Sequence, residues 1–132
     1  MILTNEDLYK EISQEQLIEL SDLDGAYALN QSVIDDAVQD ALSFIKSFIV
    51  IPANPTPLLQ KIAVDLSIYE LKRKNELISD TEKERFKEIE SYLIKMAKGS
   101  MPITIVEQDS GSKTSKSFAF KTSKRRLETN KR

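Results

Sequence analysis

Apolar residues recur at helical spacing in successive runs through the first hundred positions, separated by capping residues and turns. Leu8 and Ile12 anchor the first run, which opens at Thr4 with Asp7 in the capping-box position. Ser13-Gln14-Glu15-Gln16 is a second capping box, and Leu17, Ile18 and Leu20 are predicted to face inward behind it. Ser21-Asp22-Leu23-Asp24-Gly25 predicts the end of that helix. Short acids bond nearby backbone amides there, and Gly25 accepts a left-handed turn.

Val33, Ile34, Ala37, Val38, Ala41, Leu42, Ile45, Phe48 and Ile49 then define an amphipathic helix of about 17 residues. Ser32 is its predicted cap, with Asp35 three residues on, and Asp35 and Asp36 are placed in the first turn where the helix dipole favours them. Pro52, Pro55 and Pro57 predict a stiff, extended connection. Thr56-Pro57 opens the next helix, because proline at the first helical position loses no hydrogen bond. From Pro57 to about Asn75 this helix is apolar on more than one side. It is predicted to be central, covered on both sides or used in an oligomer contact, and to end in Lys72-Arg73-Lys74. Ser79-Asp80-Thr81-Glu82 caps a last helix with Phe86, Ile89, Leu93, Met96 and Ala97 on one stripe, Tyr92 beside it, and Gly99 closing it.

The predicted fold is therefore all-α: a compact bundle of four to five helices over residues 1–102, with a basic C-terminal extension over 103–132. In the extension Ile103-Thr104-Ile105-Val106 is β-branched, Asp109-Ser110-Gly111 is turn chemistry, and Lys116 to Lys121 alternates with Phe118 and Phe120 on one face. A short β-hairpin follows from that pattern. Alone in water it is marginal, so the expectation is that a partner orders it. Strand addition to a neighbour's sheet edge would satisfy the backbone groups of Ile103 to Val106.

The length of 132 residues fits one domain and excludes a two-domain nucleotide-dependent enzyme or an eight-fold strand–helix barrel. Cysteine and histidine are both absent. That removes disulfides, thiolate nucleophiles, the commonest general base and the commonest metal ligand. Two acidic features remain. Asp22, Asp24 and Gly25 invite a calcium loop, but glycine falls fourth rather than sixth and Val33 occupies the twelfth position, so a helix-ending turn is expected. Asp65 shares a helix face with Lys61 and Tyr69, and a local ion pair or a subunit contact accounts for it better than acid–base chemistry. No catalytic residue, metal site or cofactor is expected.

The net charge of −2 conceals an asymmetry. Residues 1–40 carry ten acids against Lys10, a net of −9; residues 41–106 are at +2 and residues 107–132 at +5. One reading is an acidic solvated face and a polar tail; the other is complementarity between neighbouring copies or partners. The candidate contact residues are Ile103, Ile105, Phe118 and Phe120, with Lys121, Lys124, Arg125 and Arg126 to meet acidic groups or phosphates. Docking on an acidic protein surface is the favoured use of the basic cluster, and DNA the alternative. The first residues hold no basic, apolar leader pattern, and Ala41–Ala53 is interrupted by Ser43, Lys46, Ser47 and Pro52, so no membrane segment is expected. The expected place of work is the cytoplasm or a particle assembled there.

The order of these features carries a resemblance. "LTNEDLYKEI", "SQEQLIELSDLDG", "NQSVIDDAVQDALSFIKSFI", the prolines, "LLQKIAVDLSIYEL" and "SDTEKERFKEIESYLIKMAKGSM" follow one another over roughly residues 1–103. This arrangement resembles the Mu-like phage gp36 family and the wider group of small helical head–tail connector, or neck, proteins. The matching positions are Leu8, Ile12, Leu20, Asp22 and Asp24, then Ile34, Ala37, Ala41 and Ile45, the helix Leu59 to Leu71, and the helix end near Gly99. The resemblance implies a non-enzymatic adaptor in a virion neck, assembled in the host cytoplasm. It implies a self-associated ring between the portal protein and a tail or second neck component, around the channel of packaged DNA. The runner-up is a small helical DNA-packaging accessory or regulator that binds DNA through its basic tail. The loop from Phe48 to Pro57 departs from the pattern by being short and lacking Tyr or Arg, and the segment after Ile103 is expected to extend beyond the usual domain.

Overall fold

A computed structural model describes residues 1–105. The described chain is helical, in the order α1 (Asn5–Leu8), α2 (Gln14–Ser21), α3 (Gln31–Lys46), α4 (Pro57–Lys74) and α5 (Asp80–Ala97). Among the described residues there is no strand, only an isolated antiparallel bridge between Pro55 and Thr104.

The local signals explain most boundaries. Thr4, Ser13 and Ser79 each form a capping box, with Asp7, Gln16 and Glu82 reaching back to the cap amide. Thr56 accepts a hydrogen bond from the Leu59 amide at 3.2 Å, with Pro57 in the first turn behind it. The start of α3 differs from the expectation at Ser32. Asn30 is the cap, its side-chain oxygen accepting from the Val33 amide at 3.4 Å. The first turn therefore contains no acid, and Asp35 instead accepts from the Gln31 side chain at 2.9 Å. The physical reason is tertiary: the Asn30 amide donates to the Oγ of Ser21, a buried hydroxyl at the end of α2, at 3.0 Å.

Helix α4 is central, as its two-sided apolar pattern requires. It touches α1, α2, α3 and α5, and its contact with α3 is the broadest in the molecule. Leu59, Ile62, Ala63, Leu66 and Leu71 are buried on α4, with Ile34, Ala37, Ala41 and Ile45 on α3. The alanines allow close approach of the two backbones. Ser67 is also wholly buried, and its hydroxyl donates to the Ala63 carbonyl at 2.8 Å, so no polar group is stranded there. Leu17 and Leu20 of α2 are buried, whereas Ile18 is half-buried. On α5 the buried stripe is Ile89, Leu93 and Met96; Phe86 is half-buried against the core, and Ala97 is exposed.

The two 18-residue helices end in the same backbone device. After α5, Gly99 (φ 82°) and Ser100 donate to Met96 and Lys95 carbonyls at 3.1 and 2.8 Å. After α4, Glu76 (φ 58°) and Leu77 donate to Arg73 and Lys72 carbonyls at 3.1 and 2.9 Å. Asn75 ties this end to α2, its amide donating to the carbonyls of Leu20 and Leu71 at 2.7 and 2.8 Å.

Candidate interaction surfaces

Three exposed features stand out. The first is a cleft of about 280 Å³ beside α4 and α5, bordered by the end of the α1 turn. Its floor is Ile12, Leu66, Ile68 and Ile89. Tyr69 and Phe86 form one wall, stacked with centroids 4.7 Å apart and planes inclined at 22°. Its rim is a chain of ion pairs. Lys61 lies 3.0 Å from Glu11 and 3.5 Å from Asp65; Arg85 reaches Asp65 at 2.9 Å and also pairs with Glu88; Lys72 pairs with Glu82. The hydrogen bond to Glu11 raises the Lys61 ammonium above its usual range, and Asp65 adds to it. Partial burial opposes the charge on Arg85, but bonds to Asp65 and Glu88 outweigh it and leave that group raised. Glu82 is held below the usual carboxylate range, first by Lys72 and then by the Ser79 amide and hydroxyl. Asp65 is thus committed to a structural network wider than its expected Lys61 pair. The cleft offers an apolar floor, an aromatic wall and a polar rim.

The second feature is a groove of about 460 Å³ between residues 1–3, the proline-containing connection and the start of α4, lined by Met1, Ile2, Leu3, Ala53, Pro55 and Val64 among others. Residues 103–105 return to the connection beside it. The Thr56 amide donates to the Ile103 carbonyl at 3.1 Å, and the Ile105 amide to the Asn54 carbonyl at 2.9 Å. The Thr104 hydroxyl donates to the same Asn54 oxygen at 2.9 Å. These inward-facing backbone groups of Ile103 and Ile105, expected to pair with a neighbour's sheet edge, find their partners in this chain. Pro55 suits the opposite position because its missing N–H is not called on there. Ile103 is half-buried against the core and Ile105 is exposed.

The third feature is the loop joining α2 and α3. Both carboxylate oxygens of Asp22 are occupied by backbone amides, those of Ala26 and Tyr27, each at 2.7 Å. This is the helix-ending turn expected of that acidic pattern, with Gly25 at φ 74°. It holds Tyr27 at φ 57° with its side chain 91% exposed, and Leu23 and Leu29 are exposed nearby in the loop. Sequence reasoning missed Tyr27 because no local pattern marks an aromatic residue that leaves the core.

Of the sequence-predicted contact residues, the structure places Ile103 and Ile105. Phe118, Phe120, Lys121, Lys124, Arg125 and Arg126, and the predicted hairpin, lie outside the described residues. No described helix is long and apolar enough to cross a membrane.

What the fold and these surfaces define is an all-α protein with three exposed, partly apolar faces among the described residues. The chain belongs to the bacteriophage Mu Gp36 family, whose sequence model matches residues 3–122. That match runs past Ile103, so the segment up to residue 122 lies within the family's range and is not an addition to it. No curated protein and no solved structure matches the chain.

Proposed function

We propose that this protein is a structural head–tail connector of a phage or prophage particle, forming a ring between the portal and a tail or second neck component. The observation that carries the reading is membership of a phage protein family over residues 3–122. The exposed faces support it. The rim charges of the α4–α5 cleft pair with one another, while apolar surface is left outward at Ile2, Tyr27, Val50 and Ile105. Apolar surface of this kind suits lateral and axial protein contacts. The work of such a protein is geometric and non-catalytic. Ile105, Phe118 and Phe120 contact a partner, and Lys121, Lys124, Arg125 and Arg126 meet its acidic groups.

The test is imaging of assembled particles at a resolution that traces side chains. A ring of this chain against the portal is the expected result, and particles that contain no copy of it overturn the role. A version ending after Ile105 keeps the 54–56 and 103–105 pairing; it should stay folded and fail to enter particles. The competing reading, a DNA-packaging accessory, makes the opposite forecast: the full chain retains DNA with affinity that falls steeply in salt, and the shortened chain loses it.

A further inference from the structure

We propose that the C-terminal segment of this chain docks on its own copy, with Phe118 and Phe120 seated in the groove beside residues 1–3 and the bases that follow them on the acidic face beyond α1. This contact belongs to the unassembled chain and is independent of the ring reading. Four observations carry it.

The first is the place where the described chain ends. The Ile105 amide donates to the Asn54 carbonyl, and the bridge between Pro55 and Thr104 is antiparallel, so the backbone at Ile105 is aimed toward Ala53. Ala53 and Pro55 both line the groove, and the next residues therefore start at its edge. The second is the character of the groove. Met1, Ile2, Leu3 and Val64 give it apolar walls, and Ile2 is 88% exposed. Its charged lining is already paired, Asp7 with Lys10 and Glu11 with Lys61. An opening of about 460 Å³ with satisfied charges suits apolar side chains rather than ions.

The third is order along the chain. After Val106 come eleven residues without an apolar side chain, then Phe118 and Phe120, then six bases against Glu128 alone, a net of +5 over residues 118–132. The surface runs in the same order. Beyond the groove lies α1, and Asn5 of α1 is tied to Gln31 at the start of α3 by two hydrogen bonds, at 2.7 and 3.1 Å. Glu6, Asp35 and Asp36 there have no cationic partner among the described residues, within the segment of net charge −9. Aromatic residues thus meet the apolar groove, and bases meet unpaired acids. The fourth is reach. The thirteen residues from Ile105 to Phe118 can span up to about 45 Å, so the adjoining groove is within range. A segment tethered this closely acts at an effective concentration on the order of millimolar, above that of a second copy in dilute solution, which selects the chain's own groove. A partner that takes Phe118 and Phe120 must first draw them out, so the groove is uncovered only where a partner is bound.

The absence of cysteine makes the test direct. Ala119→Cys, between the two phenylalanines, is combined in the full chain with Ala53→Cys at the groove edge or with Ser91→Cys on α5, which is equally exposed and outside the groove. In dilute protein under mild oxidation, the Ala53 variant should close a disulfide within one chain about tenfold faster than the Ser91 variant. Adding Phe118→Ala and Phe120→Ala should remove that advantage. Lys124→Glu with Arg125→Glu and Arg126→Glu should reduce it and abolish its dependence on salt. Equal closure rates at the two sites, or rates that ignore the loss of both rings, overturn the proposal. Disulfides that join two copies in place of one overturn it in favour of exchange between neighbours. The ring reading is judged by particle imaging, so its failure and this one are distinguishable.

Discussion

Helices α4 and α5 have the same length, 18 residues, and opposite burial. Helix α4 buries eight residues distributed around its circumference, and every other helix rests on it. Helix α5 buries Ile89, Leu93 and Met96 along one stripe and leans on α4 alone among its closer contacts. Their ends are handled differently as well. The α5 helix has a full capping box at Ser79 and a glycine at the left-handed position after it. The α4 helix closes through the same backbone path with Glu76 in the place that favours glycine. The difference teaches where helical stability comes from. A helix buried on several sides tolerates a strained end, because packing outweighs it; a helix with one buried stripe depends more on its caps.

The largest expected effect tests the packing half of that comparison. Leu66 is 1% exposed in the middle of α4. Leu66→Ala should destabilise the chain by roughly 2–5 kcal/mol, through lost burial and a residual cavity. A urea midpoint that does not move would show that this side of α4 is not core.

The two helix ends give a smaller, signed pair. Glu76→Gly relieves a left-handed side chain and should stabilise by roughly 1 kcal/mol, while Gly99→Ala should cost about as much. An added Cβ at Gly99 meets nothing within 4 Å, so the cost there is backbone strain alone. Equal and same-signed shifts in the thermal midpoint would break the comparison.

The smallest effect is electrostatic and belongs to the α5 cap. Glu82 is held below its ordinary value of 4.5 by Lys72 and the Ser79 groups. A depressed carboxylate contributes stability that is whole above the ordinary value and is lost as pH falls through the folded one. Lowering pH below 4.5 should therefore weaken the wild-type chain, and Glu82→Gln should flatten that acid limb by about 1 kcal/mol or less, as befits a partly exposed pair. Identical acid limbs in the two proteins would assign the pH dependence to other carboxylates, Asp7 first, whose acid is likewise lowered by the Thr4 amide.

Most of the fold was legible because its signals are local. Three capping boxes, Thr56-Pro57 and Gly99 are each read within four residues. The apolar surplus of α4 announced its central place. The misplacement of the α3 cap at Ser32 has the opposite origin. Asn30 is fixed by the bond its amide donates to Ser21, nine positions away, which no spacing rule contains. The surfaces were legible only in part for the same reason. The Lys61–Asp65 pair lies four residues apart and was foreseen, but Arg85 joins it from twenty residues on and Glu11 joins Lys61 across fifty. The link between 54–56 and 103–105 likewise spans about half the described chain, and a β-branched run says that a strand partner is wanted without saying whose.

That last link also has a mechanical meaning. Force drawn along the chain from beyond Ile105 reaches the Ile105–Asn54 and Ile103–Thr56 hydrogen bonds before it reaches α5. The pair sits directly ahead of Pro57, at the head of the described helix with the most buried residues, so a pull on the C-terminal side first meets the central element of the fold. The five residues between α5 and Ile103 lie behind those two bonds along the chain. The proline-containing connection thereby acts as a strain relief, shielding the helix with the shallowest burial from tension applied to the segment that follows it.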